Sequence, residues 1–110
     1  MTIMAANITL QYYMGYKSDI EFRLMDIGNR RQVLAYKSSK LAEQVAADPE
    51  AVLSEDPTYL QLAYQDKVLE QLQKTQETQH KTVSAQIDSV QKLLDNNIKK
   101  DFTINWGGGG

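Results

Sequence analysis

The sequence predicts an all-α protein, an antiparallel hairpin of two long, coiled-coil-like helices joined by an acidic turn. Apolar side chains recur at helical spacing through both halves of the 110-residue chain. Its only two prolines, Pro49 and Pro57, stand close together near the middle, and no Gly or Pro then occurs until Gly107. Proline is disfavoured inside helices, so this pair marks a turn between two helices that fold back on each other.

A chain of this length is ordinarily one domain, and we expect a single helical-hairpin domain over residues 1–110. The expected boundaries are a first helix over about residues 7–47, a turn over 48–56, a second helix over about 57–101 and a short flexible tail over 102–110.

The second helix has a clear start signal. Asp56 is a good N-cap residue, and Pro57 is favoured at the first helical position. Acid-before-base pairs at i, i+4 spacing, such as Glu70 with Lys74, mark a solvent-facing side. The predicted packing stripe on the other side consists of Leu62, Leu69, Leu72, Val83, Ile87, Val90, Leu94 and Ile98, with Gln65, Gln76 and Gln79 in the missing steps.

The first helix starts either near Asn7 or at Ser18, where Ser18 and Glu21 fit a capping box. Gly15 and Gly28 lie inside it, and either is expected to mark a bend or a close approach. The predicted packing stripe follows Ile8, Tyr12, Tyr16, Ile20, Leu24, Ile27, Leu34, Leu41 and Val45.

The turn begins at Asp48, because the residue before a proline avoids the helical region. Val52 and Leu53 are expected in a short helical turn that tucks both side chains under the bend. After Phe102 the residues through Trp106 favour extended backbone, and Gly107–Gly110 should be flexible.

Composition argues against catalysis. With no cysteine, one histidine and no glycine-rich phosphate loop, we expect a non-enzymatic protein with no cofactor, no metal and no small-molecule substrate. A net charge of −2 gives no basic footprint for nucleic acid. His80 is interpreted as solvated or as flanking a coiled coil, the alternative being a metal site shared by several copies. Arg30 and Arg31 are interpreted as complementing acidic groups, the alternative being contact with phosphate or a lipid headgroup.

The sequence has no apolar run of membrane-spanning length and no signal-peptide pattern at its start. We therefore expect a protein that is cytoplasmic or exported by a signal-independent route.

Two paired helices bury one stripe each, and many large apolar side chains are left over. Burying each would contribute about 1.5–3 kcal/mol, which predicts a homo-oligomer or a helical protein partner. The Tyr12–Tyr16 cluster could alternatively contact a membrane surface. The glutamines on the predicted packing stripe of the second helix either fix the alignment of helices in an interface or simply keep the helix soluble. The predicted interface residues are Ile8, Tyr12, Tyr13, Tyr16, Phe22, Tyr36, Tyr64, Ile98, Phe102 and Trp106.

The second half resembles the small helical-hairpin subunits of type III secretion needles. The similar stretches are Asp56-Pro57, then Leu60-Gln-Leu-Ala-Tyr-Gln-Asp-Lys-Val-Leu-Glu70, and finally Ile98-Lys-Lys-Asp-Phe102. The first helix is longer and more aromatic than in that group, and the chain continues past Phe102. The resemblance implies a structural subunit or accessory of a bacterial secretion or surface apparatus, with inter-subunit contacts made by Ile8–Tyr16 and Ile98–Trp106.

The leading hypothesis is thus a structural, self-assembling helical hairpin. The alternative is a cytoplasmic adaptor or chaperone-like module that binds a helical partner through its aromatic face.

Overall fold

The computed structural model describes residues 2–102, and of Phe102 only the backbone. It consists of helix α1 (Ile3–Ala46), a 3₁₀ turn (Leu53–Glu55) and helix α2 (Pro57–Phe102). The predicted all-α helical hairpin is confirmed, and residues 2–102 contain no strand. The predicted tail beyond Phe102 lies outside the described residues.

Helix α1 begins earlier than either predicted start. Thr2 is its N-cap: Thr2 Oγ1 accepts a hydrogen bond from the Ala5 amide at 3.0 Å. Ser18 lies in the helix interior and is exposed, so the predicted capping box is wrong. Thr2 already satisfies an amide at the helix end, and no break at Asn7 or Ser18 is needed.

The predicted start of α2 is confirmed. Asp56 Oδ1 accepts hydrogen bonds from the amides of Thr58 at 2.9 Å and Tyr59 at 3.1 Å. The prediction for the turn is wrong in one respect. Leu53 is half-buried in the 3₁₀ turn, but Val52 is exposed, because it precedes the turn in extended conformation.

Neither glycine of α1 serves a close approach. The helix continues through Gly15 and Gly28, and a Cβ added at either would meet no atom within 4 Å.

The chain divides into two compact units. Unit 1 combines Met1–Glu21 with Thr78–Gly110, and unit 2 is Phe22–Glu77. Each unit therefore pairs a segment of α1 with a segment of α2, and each is described by itself. The expectation of a single domain stays a prediction.

In unit 1 the buried side chains are Ala6, Leu10 and Ile20 of α1 and Val83 and Ile87 of α2. The predicted stripe through Ile8 and Tyr12 is wrong, since both are exposed. Four residues turn the helix about 40° past a full turn, so a row of i, i+4 steps leaves the packed side. The observed buried positions are separated alternately by three and four residues and therefore stay on the packed side. In this unit the half-buried positions that follow the same spacing are Ile3, Tyr13, Lys17, His80, Val90, Leu94 and Asn97.

In unit 2 Ile27, Leu34 and Gln76 are buried. Leu72 and Gln65, both placed on the predicted stripe, are exposed. The predicted stripe took a step of three after Leu62 and after Leu69, whereas the packed line takes a step of four from each, to Asp66 and Gln73. The half-buried positions that complete the packed line are Leu24, Arg31, Ser38, Leu41, Val45, Tyr59, Leu62, Asp66, Leu69 and Gln73. This spacing in both helices is the heptad pattern of coiled coils, with several polar residues at inner positions.

Candidate interaction surface

Helix α1 is apolar on a second side, away from α2. The side chains on this side each expose more than half of their surface. In unit 1 they are Met4, Ile8 and Tyr12, and in unit 2 they are Phe22, Met25 and Tyr36. Met14 and Val33 are exposed as well, but each lines a hollow beside α2. An ordinary amphipathic helix has one apolar stripe, so this helix has one more than its pairing with α2 uses.

A shallow groove lies on unit 2 between the two helix segments. Val33 and Arg30 of α1 line one side, and Tyr64 and Val68 of α2 line the other. Its volume is about 540 Å³, and Leu34 contributes to its base. The lining is almost entirely apolar, and Arg30 places a charge at its edge. Tyr64 exposes 69% of its surface beside this groove.

The structure places most predicted interface residues at the surface. Tyr13 and Tyr16 are half-buried and line small hollows of unit 1 beside α2, so they take part in pairing the two helix segments. The side chain of Phe102 and all of Trp106 lie outside the described residues. The exposed ones are Ile8, Tyr12, Phe22, Tyr36, Tyr64 and Ile98.

Unit 2 contains a polar cluster that was not predicted from the sequence. Arg31 Nε and Nη2 donate to the two carboxylate oxygens of Asp66 at 2.9 and 3.2 Å, and Nη1 donates to Gln73 Oε1 at 2.8 Å. The hydrogen bond from Arg31 is the main cause that lowers the pKa of Asp66, against the opposing effect of desolvation. The same bond raises the pKa of Arg31. The three side chains join α1 to α2 at one level.

This cluster agrees with the interpretation of Arg31 as a complement to an acidic group, but the acid is Asp66 on the packed side. The spacing in the sequence already indicates these inner positions. Arg31 lies between Ile27 and Leu34 at heptad spacing, and Asp66 lies between two leucines at the same spacing. Arg30 points elsewhere and pairs with Asp26 at 3.1 Å.

Unit 1 has its own polar contact. His80 Nε2 donates to Glu21 Oε1 at 3.0 Å, since a carboxylate can only accept. His80 is half-buried on the packed line, three residues before Val83. Residues 2–102 contain no group of three side chains suited to a metal ion. A metal site shared between copies stays an untested alternative.

Gln76 is the one buried polar residue of the described core, and its Oε1 has no hydrogen-bond partner there. The Oε1 of Gln79 in unit 1 is likewise unpartnered. Neither α1 nor α2, over the described residues, includes an apolar stretch suited to crossing a membrane.

Comparison of the chain with protein-family models, curated proteins and solved structures gives no match.

Proposed function

We propose that this protein is a non-enzymatic structural subunit whose copies associate through the second apolar side of α1. The observation behind the proposal is the set of large exposed side chains on that side, above all Phe22, Met25 and Tyr36 in unit 2. They are too numerous to be isolated surface residues of a monomer.

Energetics support association. Each large apolar side chain that becomes buried contributes about 1.5–3 kcal/mol. Two paired helices form only a thin core. Among the described residues, the only large side chains that are fully buried are Ile20 and Val83. Association would add the burial that the pairing of α1 with α2 does not supply.

The test is light scattering coupled to size-exclusion chromatography over a hundredfold range of concentration around the micromolar level. We expect oligomers whose mass rises with concentration. The variant Phe22→Ser with Tyr36→Ser should shift association to higher concentration, because it removes two anchors of the stripe. The matched control, Gln71→Ser with Lys92→Ser, changes two exposed polar residues of α2 and should behave as the wild type.

A monodisperse monomer over the whole range would overturn the proposal. That outcome would favour the adaptor hypothesis, in which the aromatic face binds a different helical protein.

The finer proposal is that the assembly belongs to a bacterial secretion or surface apparatus. Its support is the similarity of residues 56–102 to needle subunits. Electron microscopy of the concentrated protein should show filaments or rings, and antibody labelling of intact source cells should place the protein at the surface. Labelling confined to the cell interior would reject this finer proposal while leaving self-assembly intact.

A further inference from the structure

The exposed apolar residues of α1 in unit 2 belong to a second heptad row. Phe22, Met25 and Tyr36 are members of it, and Asn29 and Gln32 fill the gap between Met25 and Tyr36. The five residues are separated alternately by three and four positions, and all are exposed. With Phe22 at heptad position a, the row reads a, d, a, d, a, with the two amides in its inner part. We call these five residues the outer row.

The outer row lies on the side of α1 that faces away from α2. Each member comes two positions before a residue of the packed line, as Met25 comes before Ile27, and two residues turn a helix by about 200°. Asn29 borders the apolar groove on one flank. Gln32 borders a hollow on the other flank, which Gly28 also lines. The row therefore runs between the two hollows, and a second helix can lie along it without displacing α2.

One edge of the outer row is basic. The exposed charged residues on this edge are Arg23, Asp26, Arg30, Lys37 and Lys40. Asp26 pairs with Arg30 at 3.1 Å. Lys40 pairs with Glu43 at 3.7 Å. Arg23 and Lys37 have no ion pair within residues 2–102, so an excess of positive charge remains on this edge.

The other edge is uncharged at the positions next to the outer row. These heptad positions are occupied by Gly28, Ala35 and Ala42. Arg31, further round the helix on this side, is held by Asp66 on the packed line. Glu21 of unit 1, at the preceding position of the same edge, accepts a hydrogen bond from His80 at 3.0 Å. The small side chains on this edge leave room for a neighbouring helix to approach.

We infer that two copies associate through their outer rows with the two α1 helices parallel, so that each residue of the row meets its own equivalent. This inference rests on the proposed self-association and adds its orientation. In a parallel pair the basic edge of each copy lies against the uncharged edge of the other. An antiparallel pair would place the two basic edges together, and like charges that meet across an interface oppose association.

Asn29 fixes the alignment of this pair. In a parallel pair it meets the Asn29 of the second copy, and each amide can donate to the other and accept from it. A single Asn at position a sets alignment and oligomeric state at some cost in stability. A shift by one heptad would place Asn29 against Phe22 or Tyr36 and leave its amide unpaired.

Single cysteines test the orientation, because the chain has no cysteine of its own. Met25→Cys and Ser39→Cys lie at exposed d positions, two heptads or about 21 Å apart along α1. The two variants are mixed while dissociated, concentrated and then exposed to a glutathione redox buffer. Same-site disulfides should exceed the mixed disulfide at least about tenfold. Mass spectrometry of the intact dimers measures this ratio.

The control is Gln71→Cys, at an exposed position of α2, which should form disulfides only at the rate of random collision. Circular dichroism verifies that each variant remains helical. Should Met25→Cys prevent association, Ser39→Cys alone keeps the test valid, because it removes no member of the outer row. In an antiparallel pair its two sulfurs would lie far apart.

The role of Asn29 has its own measurement. Asn29→Leu, combined with Ser39→Cys, should strengthen association. At concentrations where both proteins are fully associated, it should slow same-site disulfide formation at least about threefold, because shifted alignments then compete. Asn96→Leu, an exposed exchange on α2, is the control and should leave the rate unchanged. An unchanged rate for Asn29→Leu would overturn the assigned role of Asn29.

The outcomes separate the two proposals. If the wild type does not associate, both fail. If the wild type associates but the mixed disulfide dominates, only the parallel orientation is overturned. The same holds if Ser39→Cys forms disulfides no faster than Gln71→Cys.

Discussion

Arg31 and Asp66 form a bidentate ion pair within unit 2, with nitrogen to oxygen distances of 2.9 and 3.2 Å. Their side chains are 31% and 40% exposed, so the pair is neither fully solvated nor dry. Both residues occupy inner heptad positions that would ordinarily be apolar. At these positions an ion pair of defined geometry replaces apolar packing, and this favours one alignment of the two helix segments.

A double-mutant cycle measures this contact. Arg31→Leu and Asp66→Leu should each lower the free energy of unfolding, because each leaves a half-buried charge without its partner. The combined variant should regain the wild-type value or exceed it, since two leucines suit the packed line. Denaturant unfolding at low protein concentration provides the measurement.

The cycle on Asp26 and Arg30, an exposed pair on α1, is the control and should show a coupling of no more than about 0.5 kcal/mol. Additive effects of the two leucine exchanges would show that Arg31 and Asp66 do not act as a pair.

The pH dependence of stability should show the same contact. Folding lowers the pKa of Asp66, so the unfolded chain takes up a proton at this site more readily than the folded chain. The stabilisation is complete above the ordinary aspartate pKa and is lost as the pH falls through the lowered value. Folding raises the pKa of Arg31, whose contribution stays complete at all pH values below the ordinary arginine range.

Thermal unfolding between pH 2 and 7 should therefore show a smaller acid-induced loss for Asp66→Asn than for the wild type. The exchange Asp95→Asn, at an exposed position of α2, is the matched control. Identical pH profiles for the wild type and Asp66→Asn would contradict the assignment.

Much of the fold could be predicted from the sequence, for identifiable reasons. Pro49 and Pro57 delimit the turn by removing backbone donors, and Asp56 caps α2 with bonds that need no tertiary context. These signals are local. The start of α1 was missed because Thr2 is a single residue with no capping-box partner to mark it.

The packed side of α1 was harder to predict because this helix is apolar on two sides. Ile8 and Tyr12 are as hydrophobic as Leu10 and Tyr13, so hydrophobicity alone does not distinguish the stripes. The packed stripe is distinguished from the exposed one because its residues are separated alternately by three and four positions. This spacing is continuous only if Arg31 is accepted at an inner position. Charged residues are seldom buried, so Arg31 was not predicted at an inner position.

The cap of α2 provides a local test. Asp56→Ala should cost about 0.5–2 kcal/mol, because it removes the acceptor of two amide hydrogen bonds at 2.9 and 3.1 Å. The neighbouring exchange Glu55→Ala removes the same charge from an exposed residue and should change stability by less than about 0.5 kcal/mol. Equal effects would mean that charge, and not capping, explains the role of Asp56.

The two glycines of α1 offer a stabilising change. Gly15→Ala and Gly28→Ala should each raise the free energy of unfolding by about 0.5–1 kcal/mol, because neither glycine has a positive φ and an added Cβ meets no atom within 4 Å. The reverse exchange Ala35→Gly, at an exposed position of the same helix, should lower it by a similar amount. Destabilisation by Gly28→Ala at low concentration would reveal a close contact at this position.

Gln76 tests what the polar residues of the packed line contribute. Its side chain is buried, and its Oε1 has no hydrogen-bond partner within the described residues. A buried unsatisfied carbonyl costs about 1–3 kcal/mol, so Gln76→Leu should raise the free energy of unfolding by about 1–2 kcal/mol. The gain should be accompanied by a broader distribution of oligomeric states, because a leucine accepts several alignments that a buried amide disfavours. Denaturant unfolding measures the change in stability, and light scattering measures the distribution of oligomeric states.

The exposed exchange Gln71→Leu is the control and should leave stability within about 0.5 kcal/mol of the wild type. A loss of stability on Gln76→Leu would show instead that the amide is bonded in solution, and Gln76 would then belong with Arg31 and Asp66 among the polar contacts that hold α1 to α2.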